Sequence, residues 1–226
     1  MRSMGTGKIV AKTFDSIQGE GPFMGTKATF IRLAGCNLSC PWCDTKDQVY
    51  ETLDLETLIG RIKWPNVIIT GGEPTVIPSR LATILSSIRD LPERYYTIHL
   101  ETNGTATQVF DIDVVSISPK LGIHEYDDNE IDTMQKQIDH CRQGGTSEAF
   151  FKFVVGDPTS EMPPICDFIE GHGFEDVLAY ISPLADVPFN REAYLGRINA
   201  VTQSIMELPS PNFRLTIQLH KLADVE

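Results

Sequence analysis

Leu55-Glu-Thr-Leu-Ile-Gly-Arg-Ile-Lys-Trp-Pro-Asn-Val-Ile-Ile-Thr-Gly-Gly-Glu-Pro74 holds the repeating unit of the fold in one stretch. Leu55, Leu58, Ile59 and Ile62 fall at i, i+3, i+4 and i+7, one apolar stripe along a helix. Val67-Ile-Ile-Thr70 then runs as unbroken β-branched residues, as expected of a strand covered on both faces, and ends in glycines. The alternation spreads in both directions. Upstream, Ala28–Ala34 reads as a strand; downstream, Leu81, Ile84, Leu85 and Ile88 repeat the helical stripe. Tyr95–Leu100, Val114–Ser118, Phe150–Val155, Val177–Ile181 and Phe213–Leu219 read as further strands, with helices predicted over Ile131–Cys141, Ile165–Ile169 and Tyr194–Met206. About six such units predict one α/β domain over residues 1–226 with a parallel sheet, a modified and incomplete (βα)6-type barrel rather than a closed eightfold one.

Polar residues gather where the strands end: Thr70-Gly-Gly-Glu-Pro74, Glu101-Thr-Asn-Gly104, Ser118-Pro-Lys120 and Ser182-Pro183. Any one of these could simply make a turn. Together they predict a shared site, because ligands of parallel α/β folds sit at the C-terminal ends of the strands.

The chain carries 31 acidic against 19 basic residues, a formal charge of −12 over 226 residues. So acidic a surface repels a phosphate backbone or an anionic membrane, so neither nucleic acid nor membrane is an expected partner. No apolar run approaches the roughly 18–20 residues that span a bilayer. Residues 1–7 lead into no apolar signal-peptide core, so a cytoplasmic protein is expected.

Three of the five cysteines lie in Gly35-Cys-Asn-Leu-Ser-Cys-Pro-Trp-Cys-Asp44. An odd count so clustered fits a metal site better than a disulfide framework; Cys141 and Cys166 stand apart and read as small buried hydrophobes. Two site types remain open. A structural zinc needs four ligands, the fourth drawn from Cys141, Cys166 or a histidine. A four-iron cluster held by Cys36, Cys40 and Cys43 instead leaves one iron without a protein ligand, free to be chelated.

Cys-x3-Cys-x2-Cys with an aromatic before the last cysteine resembles the signature of the radical S-adenosylmethionine superfamily. Gly71-Gly-Glu-Pro74 resembles that superfamily's second landmark. The likeness narrows further. Ile17-Gln-Gly-Glu-Gly21, Phe30-Ile-Arg-Leu-Ala-Gly-Cys36, Trp42-Cys-Asp-Thr45, Thr70-Gly-Gly-Glu-Pro74, Glu101-Thr-Asn-Gly-Thr105, Ser118-Pro-Lys120 and Gln218-Leu-His-Lys221 follow in the order of the 7-carboxy-7-deazaguanine synthase family. The chain is similar to it nearly throughout, less so over 122–176 and 186–212.

The resemblance implies a radical S-adenosylmethionine barrel and a [4Fe–4S] cluster on Cys36, Cys40 and Cys43. It implies S-adenosylmethionine as cofactor, cleaved to a 5′-deoxyadenosyl radical, with Trp42, Cys43, Asp44, Gly72, Glu73, Glu101, Ser118, Pro119 and Lys120 around it. Thr45 is implied as a magnesium ligand, and Ile17, Gln18, Gly19, Arg32, Thr70 and His220 as the binding residues for a small pterin substrate. Gln18 suits a pterin edge of alternating donors and acceptors, and the planar fork of Arg32 suits a carboxylate. The reaction implied converts 6-carboxy-5,6,7,8-tetrahydropterin to 7-carboxy-7-deazaguanine with loss of ammonia, on the queuosine-type 7-deazapurine route. A homodimer and an electron donor such as flavodoxin or ferredoxin are also implied. The rival readings are a glycyl-radical-enzyme activase, whose substrate would be a large protein, and a non-catalytic zinc-binding module.

Overall fold

Every stretch that reads as a strand forms one, and two strands without such a signal join them at one edge. The computed structural model describes residues 8–46, 48–92, 95–143, 148–210 and 212–225. The N-terminal heptapeptide, considered above for a leader, lies outside them. In chain order the elements are β1 (Ile9–Ile17), β2 (Lys27–Leu33), β3 (Glu51–Leu53), α1 (Leu55–Gly60), β4 (Asn66–Gly71), α2 (Pro78–Arg89), β5 (Thr97–Thr102) and β6 (Val114–Ile117). There follow α3 (Asp128–Gln143), β7 (Glu148–Val155), α4 (Pro158–Gly171), β8 (Leu178–Pro183), α5 (Arg191–Glu207), β9 (Phe213–Leu215) and α6 (Leu219–Ala223).

All nine strands form one sheet in the order β3-β1-β2-β4-β5-β6-β7-β8-β9. From β2 to β9 every pairing is parallel; β1 and β3 add an antiparallel flap. β9 and β3 remain the two edges, so the barrel is incomplete, as expected. It curls nonetheless, since Gly21 N, just beyond β1, donates to Thr216 Oγ1, just beyond β9, at 2.8 Å.

Several boundaries differ from the sequence reading: α3, α4 and α5 begin earlier, at Asp128, Pro158 and Arg191. β5 starts at Thr97, leaving Tyr95 94% exposed, and β9 stops at Leu215 before the chain turns into α6. Local capping explains the helix starts: Asp54 Oδ1 accepts from Thr57 N at 2.7 Å, and Asn190 Oδ1 accepts from Ala193 N at 3.0 Å.

The helices bury their stripes on the convex side of the sheet, where Leu58, Leu81, Ile84 and Ile88 meet Ile31, Val67, Ile69 and Leu100. Inside, Phe30 and Ile68 form one small apolar cluster, and Val114, Phe150 and Tyr180 another. His99 packs edge-on to Phe23 at 4.7 Å; burial pushes its pKa down to about 4, so the ring is neutral and completes this apolar floor. Strand side chains alternate with period two. Two residues beyond Phe30, Ile68, His99, Phe150 and Tyr180 come Arg32, Thr70, Glu101, Lys152 and Ser182. The floor is therefore apolar and the layer above it polar.

Candidate active site

The polar layer opens into a cavity bounded by the loops that follow β1, β2, β4, β5, β6 and β8, and by α6. Three of the four strand ends singled out in the sequence line it; at the fourth, Ser182 is buried behind Glu20 and the following Leu184 and Ala185 reach the cavity instead. Ile17, Gln18, Gly19, Arg32, Cys36, Cys40, Trp42, Cys43, Asp44, Thr45, Thr70, Gly72, Glu101, Ser118, Lys120 and His220 line the wall together. Two candidates do not. Pro119 and Glu73 are out of phase with the inward-facing residues of their strands. Glu73 Oε1 accepts from Thr75 N (3.0 Å), Thr75 Oγ1 (2.7 Å) and Thr102 Oγ1 (2.8 Å), and Oε2 from Asn103 N (2.5 Å). Its carboxylate ties the β4 and β5 ends together and does not line the cavity.

The glycines before it are set by close packing. A Cβ on Gly71, whose φ is +144°, would lie 2.0 Å from Leu33 O, and one on Gly72 would lie 2.1 Å from Gly35 O. Gly72 N donates to Leu33 O (3.0 Å) and Glu73 N to Gly35 O (2.8 Å), which clamps this strand end against the start of the cysteine loop.

Along that loop Cys36 is exposed, Cys40 buried and Cys43 half-buried, all as free thiols. Leu38 N donates to Cys36 Sγ at 3.4 Å, and Cys43 Sγ lies 3.2 Å from Thr45 Oγ1. Burial pushes the Cys40 thiol up; Lys120 pulls it down, and the thiols of Cys43 and Cys36 add to the rise. Three thiols on one loop suit a four-iron cluster, because each sulfur meets its own iron and they need not converge on one point. Cys141 packs in the core against Ile112 and Cys166 is half-buried on α4; neither reaches the cavity. Among the described residues, no group of three His, Cys, Asp or Glu is gathered as for a single metal ion. A magnesium ion at Thr45 would therefore draw most of its oxygens from water and substrate, as magnesium commonly does.

Beside the thiols sits a buried cation. Lys120 Nζ donates to Ser118 O (2.5 Å) and Ser118 Oγ (2.7 Å). Burial, aided by the charge of Lys152, pushes Lys120 down to about 8 against the pull of Cys40, Glu73 and Glu20. Near neutrality it is still mostly an ammonium, and it suits an anionic group such as an amino-acid carboxylate.

Hydrogen bonds also link the loop after β1 to the strand ends. Gln18 Nε2 donates to Glu101 Oε1 (3.2 Å), Thr70 Oγ1 to Glu101 Oε2 (2.8 Å), and Glu20 N to Gln18 Oε1 (3.1 Å). Glu20 Oε2 pairs with Lys152 Nζ (2.7 Å) and its Oε1 accepts from Ser182 Oγ (2.7 Å). Glu20 and Lys152 were missed as site residues, since their partners are 132 residues apart. Burial opposes both charges, yet each holds the other ionised: Lys152 keeps Glu20 below the usual carboxylate range, and Glu20 with Glu101 keeps Lys152 above its own.

Lys152→Met leaves Glu20 buried without its cation and is expected to cost about 3–5 kcal/mol of stability near neutral pH. Because Glu20 is depressed in the folded protein, its contribution is present above the unfolded carboxyl pKa and lost as pH falls through the folded one. The deficit of the variant should therefore shrink on acidification. Thermal unfolding across pH 4–8 checks this, and a deficit that does not vary with pH would contradict it.

Arg32 is the other cation of the polar layer. Its guanidinium carbon lies 4.9 Å from the centre of the Phe14 ring, itself stacked on Phe30 at 4.8 Å. Its Nε–H is buried without an acceptor, and no carboxylate lies within ion-pair distance among the described residues. His220 packs on Gly19, where a Cβ would lie 2.0 Å from Nδ1, and burial pushes its pKa down, so the ring is neutral at pH 7.

No family model matches the chain. It is 30% identical over 222 residues to 7-carboxy-7-deazaguanine synthase from Haemophilus influenzae, covering 96% of this chain and 93% of that one. With the enzyme of the same name from Hyperthermus butylicus it shares 31% over 233 residues, covering 93% and 92%. The fold matches a crystal structure of QueE from Escherichia coli with a TM-score of 0.62 at 22% identity, over 94% of this chain and 95% of that one. Near-complete coverage at this identity makes the chain a member of the 7-carboxy-7-deazaguanine synthase family.

Proposed function

We propose that the cavity binds a carboxylated tetrahydropterin beside S-adenosylmethionine and converts it to 7-carboxy-7-deazaguanine with loss of ammonia. The observation that carries the substrate assignment is Arg32, a guanidinium with no carboxylate partner among the described residues that opens on the same cavity as three free thiols. A guanidinium so placed suits a ligand carboxylate, which it can take through two parallel hydrogen bonds. A glycyl-radical-enzyme activase has no use for such a pocket, since its substrate is a large protein.

Cys36, Cys40 and Cys43 would hold the cluster. Lys120, with Ser118, would face the carboxylate of S-adenosylmethionine, and Gly72 its amino group. Trp42 and Asp44 would flank its adenosine side. Bound together, cluster and cofactor supply an electron and a 5′-deoxyadenosyl radical able to take a hydrogen atom from C6 of the pterin. The chain's own part is placement. Arg32 holds the substrate carboxylate, while Thr70 and Gln18 fix the carboxylate of Glu101, which would face the ribose of S-adenosylmethionine. Ile17 and Gly19 offer backbone groups, and His220 closes the wall as a neutral ring. The apolar floor of Phe30, Ile68, Phe150 and Tyr180 keeps water from beneath the reacting face. Thr45, beside Cys43, would help hold a magnesium ion, which would supply charge stabilisation for the rearrangement. A one-electron donor such as flavodoxin or ferredoxin, a homodimer and a cytoplasmic setting belong to this reading; among the described residues no helix is long and apolar enough to cross a membrane.

Anaerobic incubation of the reconstituted protein with 6-carboxytetrahydropterin, S-adenosylmethionine, magnesium and a reductant tests it. The expected result is 7-carboxy-7-deazaguanine with ammonia released in equal amount; an intact substrate beside a loaded cluster would overturn it.

A further inference from the structure

The cavity holds two glutamine amides, and the structure assigns the reading of the pterin's N–H edge to Gln218 rather than to Gln18. The assignment rests on the pterin-binding reading above and deepens it. The amide of Gln18 is already engaged at both ends, giving Nε2–H to Glu101 and accepting Glu20 N–H at Oε1. Gln218 also lines the cavity, yet its Oε1 is buried with no donor among the described residues. A buried acceptor left unpaired is costly, and a ligand donor in the cavity would complete it. The ligand group it calls for is an N–H donor. The pyrimidine edge of a pterin offers two kinds, the 2-amino group and N3–H.

The backbone around Gln218 is fixed from both sides, so the orphaned amide does not result from a loose tail. Gln218 N donates to the hydroxyl of the fully buried Tyr194 at 2.6 Å, and Leu219 N donates to Gly19 O at 3.0 Å. These two bonds hold the start of α6 against the Gln18 loop. With Arg32 reaching from β2 to the carboxylate, Gln218 would grip the other end of the heterocycle. The two together set the rotation of the ring in its plane, and hence which carbon faces the cofactor.

The test is calorimetric, on anaerobically reconstituted protein loaded with S-adenosylmethionine. It uses 6-carboxypterin as a non-reacting probe and pyrazine-2-carboxylate as a probe that keeps the carboxylate but has no N–H. Gln218→Met is expected to weaken 6-carboxypterin roughly 10- to 50-fold, as befits one or two lost hydrogen bonds. It should leave pyrazine-2-carboxylate and S-adenosylmethionine binding unchanged. Gln218→Glu keeps acceptor oxygens and should restore 6-carboxypterin to within a few-fold of the parent. Unchanged affinity in Gln218→Met, equal losses for both probes, or equal losses in the Met and Glu variants would overturn the assignment. Failure of the parent protein to bind 6-carboxypterin at all would instead overturn the pterin reading on which it stands.

Discussion

Alanine at Cys40 is expected to abolish turnover, by at least roughly 1,000-fold, or about 4 kcal/mol of barrier. Cys40 is the buried member of the three thiols, on the side of the loop nearest Lys120. A cluster ligand must be a thiolate. Burial disfavours that form in the free protein, so the iron itself must drive deprotonation, helped by the ammonium of Lys120. Removing the sulfur leaves two ligands on an exposed loop, too few to retain the cluster. Iron content and the visible absorbance of the reconstituted protein should fall with activity, whereas the thermal midpoint should move little because the barrel core lies beneath the loop. Alanine at Cys141, buried in the core outside the cavity, should leave both iron and activity in place. A Cys40→Ala protein that keeps its full iron content would remove Cys40 from the ligand set.

Arg32→Met is expected to lower kcat/KM about 100- to 1,000-fold while sparing the cluster and S-adenosylmethionine binding. The range follows from losing two charge-assisted hydrogen bonds of about 1.5–3 kcal/mol each, not fully additive. Methionine keeps most of the apolar contact with Phe14, so the packing of Phe14 on Phe30 should survive. Arg32→Lys retains the charge but not the planar fork and should recover only part of the loss. Steady-state kinetics over a range of substrate concentration checks this. Unaltered kinetics in Arg32→Met would show that the unpaired guanidinium has no part in binding.

The fold was largely legible because its strands are continuous apolar runs and its helices carry clean stripes. β1 escaped because Lys12, Thr13, Asp15 and Ser16 break its apolar pattern. It earns its place by pairing along β2, from Ala11 opposite Leu33 to Ile17 opposite Lys27. The site was legible as motifs but not as directions. Gly71-Gly-Glu-Pro74 marks a ligand-facing strand end, and the alternation that turns Thr70 and Gly72 inward turns Glu73 away, where Thr75, Thr102 and Asn103 claim it. Pro119, between Ser118 and Lys120, is likewise absent from the cavity wall. Lys152 lies in an apolar strand with no local motif, and only the curl of the sheet brings it to Glu20. Gln18 and Gln218 look alike in sequence; their different roles depend on which amide finds protein partners, and that is decided across the barrel.

Substrate deuterated at C6 gives the most direct test of the central claim, that this cavity performs radical chemistry on a carboxypterin. In the anaerobic assay the label should appear in 5′-deoxyadenosine, alongside 7-carboxy-7-deazaguanine. Unlabelled 5′-deoxyadenosine with no deazaguanine would contradict it, leaving a protein that cleaves its cofactor but does not present C6 of this substrate to it.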